Sequence, residues 1–141
     1  LLSLMVISNV DYTIFFRKLS EIPSQLSDLK ESFYRTNAEE IDQKWDKWLK
    51  NWRNSIDSHD DIRITSTAMK SVNPKYTWRE WLIAPAYKKA EEGDYRLIKE
   101  LQNVLSNPYE EQSSEVEAKY GILKPKEFFN AGGISHYSCS S

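Results

Sequence analysis

Two Asn-Pro steps, Asn73-Pro74 and Asn107-Pro108, bracket the stretch that constrains this chain most. A proline disfavours the α region at the residue before it, so each step closes one element before another begins. Between them the sequence reads as a helical hairpin. Thr77 and Glu80 have the spacing of a capping box, in which the hydroxyl accepts from a backbone N–H and the carboxylate reaches back to the cap. Trp78, Trp81 and Leu82 then begin an apolar stripe at helical spacing. Gly93 follows Glu91-Glu92 and suits the left-handed position just past a helix end. Asp94 is placed to cap a second helix, whose Leu97, Ile98, Leu101, Val104 and Leu105 fall on one face. Pro85 is the fault in the first helix. It removes the bond to the Trp81 carbonyl, at a cost of about 3 kcal/mol unless the helix bends or restarts, so a bend is expected near residues 83–85.

The chain before Asn73 reads as further helices. Leu1 to Ile7 has the look of the end of a helix whose beginning is missing. Asp11 caps a helix running to about Ser20, with Val10 and Phe15 placed as a hydrophobic staple. Tyr12, Phe15, Phe16 and Leu19 make one wide apolar face, and their helical spacing favours core packing over base stacking. Residues 24–36 read as a polar connection with at most one weak helical turn. From Thr36 or Asn37 the clearest helix begins, with Ile41, Trp45, Trp48, Leu49, Trp52 and Ile56 every three or four residues. Glu40–Lys44 and Asp46–Lys50 are acid-before-base pairs on its outer face. Its tryptophans suit burial, or an interface to a part of the protein outside these residues. Ser58-His59-Asp60-Asp61 resembles a metal or acid–base cluster, but such a run before a helix is more often a cap near the positive dipole end. Ile62 to Val72 fits a helix or a strand, and its helical surroundings favour the helix.

After Pro108 the chain turns acidic through Glu110, Glu111, Glu115 and Glu117, which reads as a solvated loop. Lys124 to Phe129 offers an aromatic anchor after a proline turn. Ala131-Gly132-Gly133-Ile134 reads as flexible, and the last eight residues as extended.

Composition excludes more than it assigns. The formal charge is −2, so no basic surface argues for nucleic acid or an anionic membrane. One cysteine cannot form an internal disulfide, and with two histidines it cannot build a structural zinc site. The apolar start is too short to span a bilayer and lacks the flanks of a signal peptide, which suggests a cut from a longer chain. There is no glycine-rich phosphate loop, P-loop lysine or GxSxG elbow, and no Ser/His/Asp constellation is assigned.

Three ordered blocks carry a resemblance. The first is Asp11-Tyr12-Thr13 with Phe16-Arg17 and Leu19-Ser20. The second is Asn73-Pro74-Lys75-Tyr76 with Arg79, Trp81-Leu82, Gly93-Asp94-Tyr95 and Asn107-Pro108-Tyr109. The third is the terminal Ser138-Cys139-Ser140-Ser141. Together they resemble the C-terminal region of selenoprotein O, the kinase-like protein adenylyltransferases. In that family the catalytic and nucleotide-binding residues lie upstream, so the resemblance assigns no catalytic, cofactor-binding or metal residue to this chain. For the parent protein it implies transfer of AMP from ATP to a hydroxyl side chain of a protein substrate, with magnesium. The hydroxyl would attack the α-phosphorus and pyrophosphate would leave. The implied partners are the upstream catalytic domain of the same chain and the protein substrates, with neither nucleic acid nor membrane among them. The implied compartment is the cytoplasm in a bacterium or the mitochondrion in a eukaryote. Relatives more often have a non-proline residue at Pro85, and prolines followed by tryptophan near Lys124–Phe129. They place selenocysteine or cysteine third from the end, which makes Cys139 the candidate redox site, pairing with a cysteine upstream or on another protein.

The expected fold is an all-α fragment of four or five helices with an irregular C-terminal tail, the terminal part of a kinase-like fold. Residues 1–107 would be its helical part, and residues 108–141 an acidic loop and extended tail. The competing reading is a small helical interaction module with no enzymatic parent, which composition and periodicity alone do not separate from the first.

Overall fold

The computed structural model describes residues 1–57 and 61–130, and among them the chain is all-α, with no strand. Among the described residues there are seven α-helices and two short 3-10 segments, more than the four or five helices expected. The chain divides into two compact units, Leu1–Lys75 and Tyr76–Ser141.

In the first unit, α1 (Leu2–Ser8) ends at Asn9, whose left-handed conformation (φ 51°) turns the chain into α2 (Tyr12–Leu19). Asp11 is the N-cap the sequence predicts, its carboxylate accepting from the Ile14 N–H at 3.0 Å. The second carboxylate oxygen accepts from the Tyr34 hydroxyl at 3.1 Å, and the Asp11 N–H donates to the Ser32 carbonyl at 2.8 Å. One cap thus ties the start of α2 to the segment 23 residues later. That segment differs from expectation. Residues Leu26–Ser32 form a 3-10 helix, and Leu26 and Leu29 are buried. Their i, i+3 spacing is the one that eclipses in a 3-10 turn, so two leucines amid polar residues suffice to anchor the segment.

Helix α3 (Glu39–Asp57) begins two or three residues after the expected start, with Glu39, Glu40 and Asp42 at its positive dipole end. Trp45 and Leu49 are buried in the core of the unit, together with Met5, Phe15, Leu19, Leu26, Leu29 and Phe33. Trp48, Trp52 and Ile41 pack at its edge. Phe15 and Phe33 both contact Trp45, with centroids 5.3 and 5.4 Å away, so the stripe on α2 is core packing as read, except that Tyr12 remains largely exposed. Helix α4 (Ile62–Val72) settles the helix-or-strand ambiguity, and Asp61 caps it by accepting from the Arg63 N–H at 2.9 Å. Ser58, His59 and Asp60 lie outside the described residues.

The second unit is built on the hairpin. Helix α5 (Glu80–Glu91) starts three residues after Thr77, with Arg79 at the cap position and making no side-chain cap bond. The capping-box reading therefore put the helix start too early, and Trp78 is exposed rather than first in the stripe. The helix is continuous through Pro85. Gly93, at φ 85°, takes the left-handed position as expected. Its N–H donates to the Ala90 carbonyl and the Asp94 N–H to that of Lys89, each at 2.9 Å, the paired bonds of a Schellman turn. Helix α6 (Arg96–Ser106) begins one residue later than expected, but Asp94 still accepts from the Arg96 N–H at 3.1 Å.

Leu101 and Val104 of α6 form a small core with Tyr76, Ala86 and Tyr120. Tyr120 belongs to α7 (Ser114–Tyr120), which lies where an acidic loop was expected. Glu115 and Glu117 sit in its first turn, capped by Ser113, so part of the acid run serves a helix start. A final 3-10 turn (Lys126–Phe128) sets Phe128 against Trp81 at 5.7 Å, the aromatic anchor after a proline turn that the sequence suggests.

Candidate functional site

In the first unit a hydrogen-bonded polar cluster lies between α2 and the end of α4. Arg17 follows Phe16 on a mostly apolar helix and is only 6% exposed. One of its guanidinium nitrogens donates to the carbonyls of Lys70 and Asn73, both at 3.1 Å. Those carbonyls belong to the last turn of α4 and to its C-cap, where no helical partner remains and the dipole favours a cation. Beside it the Asn73 amide donates to the Met69 carbonyl at 3.0 Å and to the Ser20 hydroxyl at 3.2 Å. The Ser66 hydroxyl donates to the Ser20 carbonyl at 2.6 Å, and the Ser20 hydroxyl to the Phe16 carbonyl at 2.7 Å. Phe16, Arg17 and Ser20 of one helix end and Asn73, 53 residues beyond Ser20, thus meet in one clamp.

A second arginine does similar work nearby. Ile22 has a left-handed backbone (φ 55°), unusual for a β-branched residue. Arg53 of α3 donates to its carbonyl at 2.7 Å and to that of Pro23 at 3.0 Å. The burial of Ile22 and this arginine hold the strained turn in place.

In the second unit the Tyr76 N–H donates to the Pro108 carbonyl at 3.1 Å, tying the chain ahead of α5 to the end of α6. The Gln112 amide donates to the carbonyls of Val104 and Asn107 at 2.8 and 3.0 Å, closing the end of α6. Lys119 donates to both oxygens of Glu100 at 2.7 Å. These bonds hold the Glu100 carboxyl below its ordinary value. Bonds from the Arg96 side chain and N–H hold that of Asp94 far below the usual carboxylate range.

Chemically, the two arginine clamps are braces. Their donors point at backbone carbonyls, and neither positions a nucleophile beside a base. The role of Arg17 is not legible from sequence; its signal is a charged residue set between Phe16 and Leu19 on an otherwise apolar face. Cys139, the candidate redox site, lies outside the described residues.

A profile for the family described as protein adenylyltransferase SelO matches residues 1–106, three quarters of the chain. The chain belongs to the SelO family. Its similarity to named SelO relatives runs further. The protein nucleotidyltransferase YdiU of Stutzerimonas stutzeri is 39% identical over 115 residues, covering 79% of this chain and 22% of the relative. That of Aromatoleum aromaticum is 32% identical over 148 aligned positions, covering 99% of this chain and 27% of the relative. That of Flavobacterium johnsoniae is 29% identical over 150, covering 99% and 28%. The chain thus spans about a quarter of the length of the curated relatives it matches. The residues of both arginine clamps lie inside the part matched by the SelO profile, while α7 lies beyond it.

The ATP and magnesium that the family implies can be tested against the residues present. Among the described residues no three His, Cys, Asp or Glu side chains are grouped to hold a metal ion. The acids described above instead cap helices or pair with lysine and arginine. No described residue is assigned to magnesium or ATP, and no step of the reaction is routed through them. No helix among the described residues is long and apolar enough to cross a membrane.

Proposed function

We propose that this chain is the C-terminal portion of a protein adenylyltransferase. The parent would move AMP from ATP to hydroxyl side chains of protein substrates, with magnesium and nucleotide held by the part of the parent outside residues 1–141. The observation that carries the reading is the SelO match over residues 1–106, joined to relatives named protein nucleotidyltransferases. In this reading residues 1–107 form the helical end of a kinase-like domain and residues 108–141 its tail. The chain's own contribution is structural, through the braced helices, and regulatory, through Cys139. Oxidation of the Cys139 thiol with a second thiol of the parent would give a disulfide. Two protons and two electrons would pass to an oxidant such as glutathione disulfide, and the tail would be fastened to the catalytic part.

The test compares the full parent chain with residues 1–141 alone, each incubated with ATP labelled at the α-phosphate, magnesium and a general protein substrate. The full chain is expected to label protein and the shorter chain to leave it unlabelled. A full chain that transfers no label under these conditions overturns the reading of the parent. Labelling by the shorter chain overturns the placement of the active site.

A further inference from the structure

Helix α4 is apolar or small on two sides. Met69 packs against the core of the first unit, and Ser66 and Asn73 join the Arg17 clamp. Yet none of its 11 residues is fully buried. Ile62, Ile64 and Val72 are 45%, 64% and 69% exposed. Ile64, Thr67, Ala68 and Ser71, spaced i, i+3, i+4 and i+7, form one outward stripe and line an open groove with Asp61 and Arg63 at its end. A surface helix normally turns charge outward, whereas this stripe carries only aliphatic and small hydroxyl side chains. Only Arg63 and Lys70 are charged within α4, and neither lies on that stripe.

We infer that the outer face of α4 is a docking surface for the part of the parent polypeptide outside residues 1–141. The inference rests on the reading of this chain as a portion of a longer SelO protein. Size decides between that occupant and a second copy. A helix of 11 residues is about 16 Å long, and one face of it offers far less than the roughly 800 Å² per partner that a stable complex buries. A covalently attached segment does not need such an area. Tethering holds it at an effective concentration in the millimolar range, so a few exposed aliphatic side chains suffice. The relatives supply the length, since about three quarters of each lies outside the matched region.

The experiment places the photo-crosslinker benzoylphenylalanine at position 64 of the full parent chain, and at exposed position 47 of α3 as a control. Isotopically light and heavy protein are mixed before illumination. The expected result is a crosslinked peptide joining position 64 to a residue outside 1–141, with both halves of one isotope, and none above background from position 47. Pairs of mixed isotope would mean a second copy and overturn the proposal. So would crosslinks confined to residues 1–141, or a yield at position 64 no higher than at 47. AMP transfer is scored separately on the same protein. Crosslinking without transfer would count against the enzymatic reading alone, and transfer without crosslinking against this surface alone.

Discussion

The indole N–H of Trp45 donates to the Ser8 hydroxyl at 2.8 Å, and neither side chain reaches solvent. This bond pins α3 to α1 at the centre of the first unit. A buried indole needs a partner for its N–H, and here the hydroxyl of a small residue provides one without widening the core. Trp45→Ala is expected to cost about 3–5 kcal/mol. Ser8→Ala, which strands the donor, should cost about 1–3 kcal/mol. Trp48→Ala should cost less than Trp45→Ala, because Trp48 lies at the edge of the core. Thermal melts of the full parent carrying each substitution check the order. Trp48→Ala as the most damaging of the three would contradict it.

Arg17 meets two carbonyls with a terminal guanidinium nitrogen, one bond farther from the backbone than a lysine ammonium, so lysine does not preserve the geometry. Arg17→Met should cost about 1.5–3 kcal/mol, the usual range for bonds to a charged donor, and Arg17→Lys should recover only part of that. Hydrogen exchange locates the effect. Amides of residues 69–73 should lose protection in both variants, while those at the start of α3 change little.

Glu100 and Lys119 give the second unit a pH dependence of known sign. A carboxyl held below its ordinary 4.5 contributes stability that is fully present above that pH and drains away as pH falls through the lowered value. Burial pulls the Lys119 value down, but Glu100 and Tyr120 together outweigh this and raise it above its ordinary 10.5, so its share is lost only in strong base. Glu100→Gln should therefore flatten the acid side of a melting curve taken from roughly pH 3 to 7. The difference should stay below about 1 kcal/mol, because both groups are partly exposed. Identical acid limbs for wild type and variant would refute this.

At Gly93 a built Cβ meets nothing within 4 Å, so the backbone alone penalises a side chain there. Gly93→Ala should cost about 1–2 kcal/mol, and Gly93→Asn less, since asparagine tolerates the left-handed region. Chemical denaturation compares the two. Equal stability of the alanine variant and wild type would mean that the turn relaxes.

These residues also show how far the sequence could be read. Asp11, Asp61 and Gly93 do what their local chemistry requires, because a cap or a left-handed turn depends on neighbours within a few positions. The stripe of α3 was equally legible, since its period persists over several turns. The 3-10 helix at Leu26–Ser32 and the short α7 were missed for the opposite reason: each is a turn or two long and mostly polar, and is recruited by distant packing through Leu29 or Tyr120. Thr77 misled because a hydroxyl three residues before a glutamate also occurs in extended chain ahead of a helix. Arg17 could be seen as a letter in a motif and Arg53 not even as that, and the carbonyl partners of the two lie 30 to 56 residues away. A single sequence does not reveal such pairings.

The stacked aromatics of α3 have an optical consequence. Three of the five tryptophans lie on that helix, with Trp48 nearly parallel to Trp52 at 6.1 Å and edge-on to Trp45 at 5.7 Å. Rings this close exchange excitation and couple their transitions, which gives them a near-ultraviolet dichroism that isolated indoles lack. The exposed Trp78 should emit at longer wavelength, as water-exposed indole does. The protein thus carries two spectral reporters, and light alone can follow the opening of the α3 core apart from events around Trp78.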